Sequence, residues 1–411
     1  MNTSKWERKP LGAVADLCLG KMLDQNKNKG EPLPYLANVN VRWGEFSLDS
    51  LRTMRFEPKE IERYGLKFGD IVMCEGGEPG RCAIWKNQVP GMMIQKALHR
   101  IRPSEVLDYR FLHYNFLHIG SSKGFDQFFT GSTIKHLPLE KLAKVEVNVP
   151  PLPIQHRIAG ILSAYDELME NSQRRIRILE TMARALYREW FVEFRFPGHE
   201  KDEFVASPLG RIPKGWEVKR VADSFEISGG GTPSRKQLSY WDEGTIQWFA
   251  PSDLTAADTM FMDDSPECIT EFGLAKSSAR LFPAFSVMMT SRATIGAIAI
   301  NTHEACTNQG FITCLSNERV PLYFLFHWLT ENVPTFQRMA SGATFKEISR
   351  GVFKTIEFLH PSEGLVCRFE SQVEPMSKQM LAFQRQIQNL RRTRDLLLPR
   401  LLSGQVSLGR N

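Results

Sequence analysis

The chain carries an internal repeat, and that repeat limits its architecture more than any single motif does. Phe129-Thr130-Gly131-Ser132-Thr133-Ile134-Lys135 returns as Met339-Ala340-Ser341-Gly342-Ala343-Thr344-Phe345-Lys346, with Gly131 and Gly342, Thr133 and Thr344, and Lys135 and Lys346 each 211 residues apart. Lys5-Trp6-Glu7 near the start of the first copy matches Gly215-Trp216-Glu217 at the start of the second. Each copy runs into a proline-marked break, Pro150-Pro151 or Pro361, and then into a long helical pattern. A globular unit plus a helix, written twice, is a pseudo-dimer on one chain. It suits a ligand with approximate two-fold symmetry, of which duplex DNA is the commonest.

The helical pattern is a heptad. In the first copy Ile158, Leu162, Tyr165, Met169, Ser172, Ile176, Leu179, Ala183, Leu186 and Trp190 step by alternating fours and threes. In the second copy Phe369, Val373, Met376, Met380, Phe383, Ile387, Leu390, Arg394, Leu397 and Leu401 do the same. Only Ser172 and Arg394 interrupt the stripes. A seam sustained over four heptads predicts a coiled coil, and equivalent helices pack most simply as an antiparallel pair. About 40 residues at ~1.5 Å each would make a rod of ~60 Å. Pro375 should kink the second helix or mark its effective start.

The expected fold is therefore α+β: two globular mixed α/β recognition units separated by two long antiparallel coiled-coil helices, in a pseudo-two-fold repeat. The first unit covers 1–150 and the central helix 151–197. A Pro/Gly-rich linker follows at 198–215, then the second unit at 216–360, the distal helix at 361–404 and a tail at 405–411. Asp70-Ile71-Val72-Met73-Cys74 and Phe285-Ser286-Val287-Met288-Met289-Thr290 read as core strands, Val145–Val149 as an alternating strand, and Tyr109–His118 as a short amphipathic helix.

Composition sets the class. With 411 residues, 42% hydrophobic and 24% charged, the chain is long enough for at least two cores. The N-terminus has no apolar signal core, and no run approaches the ~18 apolar residues of a membrane span. Seven cysteines without a C-x-x-C pair read as free thiols in a reducing cytoplasm. A net charge of +6 permits a polyanionic partner without requiring one.

Signatures of chemistry are missing. There is no phosphate loop and no H-E-x-x-H metal motif, and Asn148-Val149-Pro150-Pro151-Leu152 lacks the aromatic of an amino-methyltransferase motif. Gly229-Gly230-Gly231-Thr232-Pro233 is expected to be a flexible turn. No catalytic residue, metal site or cofactor is expected in this chain. Candidate contacts to DNA instead cluster on loops. The first unit offers Asn38, Asn40, Arg42, Trp43, Arg81, Gln95, Lys96 and Arg100, with Ser132, Thr133 and Lys135 at the repeated glycine turn. The second offers Thr232, Ser234, Arg235, Trp241, Ser252, Asp253, Ser291, Arg292, Thr294, Asn308 and Gln309, with Thr344 and Lys346. Arg, Asn and Gln suit base edges, whereas Ser, Thr and Lys suit phosphates.

Several fragments, in this order, resemble a known family. Gly69-Asp70-Ile71-Val72 with Gly76-Gly77-Glu78-Pro79-Gly80-Arg81 lies in the first half. Gly230-Gly231-Thr232-Pro233-Ser234 with Thr307-Asn308-Gln309-Gly310-Phe311 lies in the second. Pro150-Pro151-Leu152-Pro153-Ile154-Gln155 opens the central helix, and Leu396-Leu397-Leu398-Pro399-Arg400-Leu401-Leu402-Ser403-Gly404 closes the distal one. Over nearly its full length the chain resembles the DNA-specificity subunits of type I restriction-modification systems. The resemblance implies two target-recognition domains reading a split DNA sequence, with the helices as spacer. It implies catalysis by partners: modification subunits, two in number, that use S-adenosylmethionine, and a restriction subunit that uses ATP and Mg. The alternatives are the specificity component of another restriction system, an unrecognised DNA-modifying enzyme, or a coiled-coil scaffold. One departure is that the second helix opens on Pro361-Ser362-Glu363-Gly364.

Overall fold

The computed structural model describes residues 6–22, 24, 28–257, 259–342 and 346–406. Lys5, Ala343, Thr344, Phe345 and the tail beyond 406 lie outside the described residues. The chain divides into two compact units, Met1–Asn171 with Gln386–Asn411, and Ser172–Arg385. Both boundaries fall within the long helices, so each unit owns part of each helix.

In the first unit, β1 (Arg8–Pro10), β2 (Ala15–Leu19), β3 (Glu31–Leu36), β4 (Arg52–Phe56), α1 (Pro58–Tyr64), β5 (Ile71–Cys74), β6 (Cys82–Ile84), β7 (Met93–Ile94), β8 (Leu98–Pro103), α2 (Tyr109–Ser121), α3 (Leu139–Leu142) and β9 (Glu146–Asn148) precede α4 (Leu152–Tyr187). The sheets run β2-β8-β5-β6, β4-β3-β7 and β1-β9. All four residues of β5 are buried. Successive strand side chains point to opposite faces. Accordingly Ile71 and Met73 enter a core with Phe111, Phe116 and Ile158. Val72 and Cys74 enter a second core with Trp85 and Ile94. A strand covered on both faces has to be apolar throughout.

In the second unit α4 ends in a π-helical turn, Arg188–Val192. There follow β10 (Phe204–Ser207), β11 (Gly210–Pro213), β12 (Glu217–Arg220), β13 (Glu226–Gly229), β14 (Ile246–Phe249), α5 (Pro251–Ala257), β15 (Phe261–Met262), β16 (Glu267–Ile269), α6 (Glu271–Ala275), β17 (Val287–Thr290), β18 (Ile298–Asn301), β19 (Ala305–Thr307), β20 (Phe311–Leu315), α7 (Leu322–Met339), α8 (Arg350–Lys354), β21 (Glu357–His360) and α9 (Glu363–Leu402). The orders β13-β20-β17-β18, β16-β14-β19 and β12-β21 reproduce the first unit strand for strand, with β15 added at one edge. The repeat is thus one topology built twice. The stretch expected to be linker contains a hairpin, β10 against β11, whose tight turn is closed by Ser207 and Gly210.

Within each unit the two long helices run antiparallel. In the first, Ile158 and Leu162 share a core with Leu398 and Leu401, and Asp166 pairs with Arg394 at 2.6 Å. In the second, the Arg175 guanidinium lies 5.5 Å from the Phe383 ring, and Trp190 meets Phe369 at 6.3 Å. Every heptad position named above is buried or half-buried, as a seam requires. Arg394 interrupts the stripe without leaving a bare charge there, because it pairs with Asp166, which also accepts the Tyr114 hydroxyl at 2.5 Å.

Of the two alternatives at Pro375, a helix start there is corrected. The helix starts at Glu363 and passes through Pro375. Pro375 lacks one N–H, but both it and Ser371, whose carbonyl loses that partner, are exposed to water. The altered opening sequence is compensated one turn further on. In the first unit Gln155 accepts the Asp108 N–H at 2.8 Å and donates to the carbonyls of Val106 and Pro150, tying α4 to the start of α2. In the second unit Pro321 supplies no side-chain cap for α7. Glu370 does so from α9, accepting the Tyr323 N–H at 2.8 Å. Burial pushes the Glu370 carboxyl up to about 7.

Candidate nucleic-acid interface

The candidate residues converge on one backbone junction in each unit. In the first unit the junction is Glu75, the residue after β5. Its N–H donates to the Ala97 carbonyl at 2.8 Å and its carbonyl accepts the Leu137 N–H at 2.8 Å, so the loops at 75–81, 95–97 and 130–137 meet. The repeated glycine turn is closed by reciprocal bonds between Thr130 and His136, at 2.8 and 2.9 Å. Ser132, Thr133 and Lys135 stand exposed on it, with the Lys135 ammonium 5.6 Å from the Phe129 ring. His136 Nδ1 lies 3.3 Å from Glu75.

Asn38, Arg42, Trp43 and Arg81 gather beside the 75–81 turn. Arg81 donates to the Asn38 carbonyl at 2.9 Å and to Glu78 at 2.7 Å, and Trp43 Nε1 donates to Glu78 at 3.1 Å. Arg42 is exposed and donates to the Val39 carbonyl at 2.8 Å. Lys96 is exposed beside the junction, while Gln95 folds back to accept the Ala97 N–H.

In this unit two candidates turn inward, as Ser291 does in the second. Asn40 is buried and fixes its own loop, accepting from Ala37 and donating to the Ser47 carbonyl. Arg100 is buried on β8, where its guanidinium engages the Arg63 carbonyl and Asp16. Neither leaves an edge for a base. Spacing alone did not reveal this, because a strand arginine and a loop arginine look alike until their partners are known.

The second unit has the same junction at Ser291, the residue after β17. Its N–H donates to the Gly310 carbonyl at 2.8 Å and its carbonyl accepts from Ile348 at 3.0 Å. Ser341 and Glu347 close the second glycine turn as Thr130 and His136 close the first. Lys346 is exposed there, its carbonyl accepting from Ala293, and Arg292 donates twice to Glu347, at 3.0 and 2.8 Å. Thr232 donates to Gln309 at 2.8 Å, and Asn308 accepts the Gly310 N–H. Thr294 stands exposed at the turn apex.

Arg235 is held on three sides. It pairs with both oxygens of Glu267, at 2.5 and 2.7 Å, and its guanidinium sits 3.7 Å from the Trp241 ring centroid and 5.1 Å from that of Trp248. The Arg235 guanidinium keeps the Glu267 carboxyl below its ordinary range. Trp241 in turn donates to the Ser234 carbonyl. Asp253 accepts the Ala250 N–H at 2.7 Å, and Ser252 lies exposed beside it.

The glycine run 229–231 is not a flexible turn. A Cβ on Gly230 would lie 2.1 Å from the Asn308 carbonyl oxygen, and one on Gly231 would lie 2.2 Å from Ser278 Oγ. Close backbone approach explains these glycines. The acids Glu75, Glu78, Glu267 and Glu347 were not foreseen. A search for groups that bind bases and phosphates passes over the carboxylates that orient them. Aligning the two turns after β5 and β17 would have exposed this difference.

All seven cysteines are free thiols. Among the described residues no cluster of three or more His, Cys, Asp or Glu could hold a metal ion, and no helix is long and apolar enough to cross a membrane.

Comparison with known proteins places this architecture. The chain is 24% identical over 393 residues to the type I restriction enzyme MjaIX specificity subunit of Methanocaldococcus jannaschii, covering 92% of this chain and 87% of that one. It is 21% identical over 332 residues to the type I restriction enzyme HindI specificity subunit of Haemophilus influenzae, covering 67% and 72%. The crystal structure of the type I restriction-modification S subunit from M. genitalium has a similar fold. It covers 98% of this chain and 97% of its own, at 16% identity and a TM-score of 0.59. The family model for the type I restriction modification DNA specificity domain matches residues 3–181 and again 213–363. The chain therefore belongs to the type I restriction modification DNA specificity domain family, with the domain present twice.

Proposed function

We propose that this chain is the DNA-reading subunit of a type I restriction-modification assembly, each unit reading one half of a split target. One observation carries the reading: the same backbone junction is built twice and dressed with unlike side chains. The first unit presents Arg42, Glu78, Arg81 and Lys135, while the second presents Thr232, Arg235, Arg292, Thr294 and Lys346. A constant scaffold with different loops suits two unlike half-sites.

Methyl transfer and cleavage belong to partners in this reading. Two modification subunits would bind S-adenosylmethionine and methylate adenine, and a restriction subunit would use ATP and Mg. The chain itself brings no cofactor and works in the cytoplasm, where its free thiols stay reduced.

The test is exchange of residues 1–150 for the equivalent segment of another family member, followed by mapping of methylated adenines in cells that supply the modification partner. One half-site should change and the other persist. A change in both halves, or methylation by the purified chain alone, refutes the reading.

A further inference from the structure

The turns after β5 and β17 have the same length and shape. Met73 pairs with Cys82 across the first and Met289 with Ile298 across the second. Gly77 and Ala293 occupy the same place, with φ of 81° and 60°, and so do Gly80 and Gly296, with φ of 91° and 96°. An alanine in the left-handed region is uncommon. Its presence indicates that the turn's shape is kept even where glycine is lost. At the apex of this shared frame the two units differ: one presents Glu78, the other Thr294.

Resting on the recognition reading above, we propose that Glu78 is a specificity-determining residue that accepts a hydrogen bond from the exocyclic amino group of a cytosine in the half-site read by the first unit. Its side chain is 57% exposed, yet both oxygens are fixed, one by Trp43 at 3.1 Å and the other by Arg81 at 2.7 Å. Trp43 is braced in turn, since a Cβ on Gly120 would lie 2.4 Å from its ring. Arg81 is braced by the Asn38 carbonyl. A carboxylate offers about four lone-pair sites, so two donors leave room for a third. Being pre-oriented, it loses little freedom on contact.

Its charge narrows the ligand. A carboxylate repels phosphate, so its role against DNA is at a base edge. Cytosine presents its amino donor alone in the major groove, whereas adenine sets an N7 acceptor beside its own. An acceptor-only side chain therefore favours cytosine.

The experiment uses the chain assembled with its modification partner. Glu78→Gln keeps the shape, but its single carbonyl oxygen can replace only one of the two that accept from Trp43 and Arg81, and an amino donor takes the place of the other. The methylated motif should relax at one base pair of the first half-site, with discrimination there falling roughly 5- to 150-fold, and the second half-site should be untouched. Glu78→Asp, which keeps the charge and shortens the reach, should lose discrimination at the same base pair. An unchanged motif, a uniform loss of affinity for all sequences, or a change in the second half-site would overturn the assignment. If instead exchange of residues 1–150 leaves the wild-type motif intact, the recognition reading itself has failed.

Discussion

The ion pair between Asp166 and Arg394 gives the sharpest test of how the first unit is held together. Arg394 stands at a seam position, with its side chain 18% exposed and that of Asp166 28% exposed. Asp166 accepts from Arg394 at 2.6 Å and from the Tyr114 hydroxyl at 2.5 Å, so it links α9, α4 and α2. Breaking a fully buried pair by removing one partner costs about 3–5 kcal/mol. Partial exposure, and the second partner Asp395 at 2.8 Å, lower the expectation to about 2–3 kcal/mol for Asp166→Ala. In a unit of this size that is a fall in melting temperature of about 4–12 °C. Arg394→Met alone strands the carboxylate and should cost a similar amount. The double variant Asp166→Ala/Arg394→Met removes both charges along with their desolvation cost, so it should lose much less than the two singles together. Differential scanning calorimetry on all variants reads the coupling. Additivity within about 0.5 kcal/mol would refute the argument and class the pair as a screened surface contact.

Glu370 predicts a pH effect with a definite sign. Burial raises its carboxyl from an unfolded value of 4.5 to about 7, so its contribution is fully present below 4.5 and is lost as pH rises through 7. Glu370→Gln still accepts the Tyr323 N–H and should flatten the wild-type loss of stability across that window in urea titrations at several pH values. An unaltered pH slope would exclude the group. Gly230→Ala would drive a methyl group into the carbonyls of Thr307 and Asn308, and it should cost about 1–3 kcal/mol by denaturant unfolding. A wild-type midpoint would mean that the backbones do not approach that closely.

The heptad stripes, the buried strand Ile71–Cys74 and the duplication were legible in the residues alone, because each follows from a local period that the backbone imposes. Candidates such as Arg42, Trp43, Arg81, Arg235 and Arg292 were also legible as polar or aromatic side chains on loops. What each of them touches was not. Arg100 and Arg81 differ in role only because one faces Asp16 and the Arg63 carbonyl inside the sheet, while the other braces an exposed carboxylate.

The sequence by itself determined that two similar units and two long amphipathic helices would form. Spacing within a segment decides which face is apolar, and that information is local. Tertiary structure alone decided that the helices are divided between the units, that Glu370 caps a helix by accepting from a residue 47 positions earlier, and that Glu78 and Thr294 stand at corresponding apices of two like turns. These outcomes depend on which distant backbone groups the closed chain brings within hydrogen-bond reach, and no periodicity along the chain encodes that.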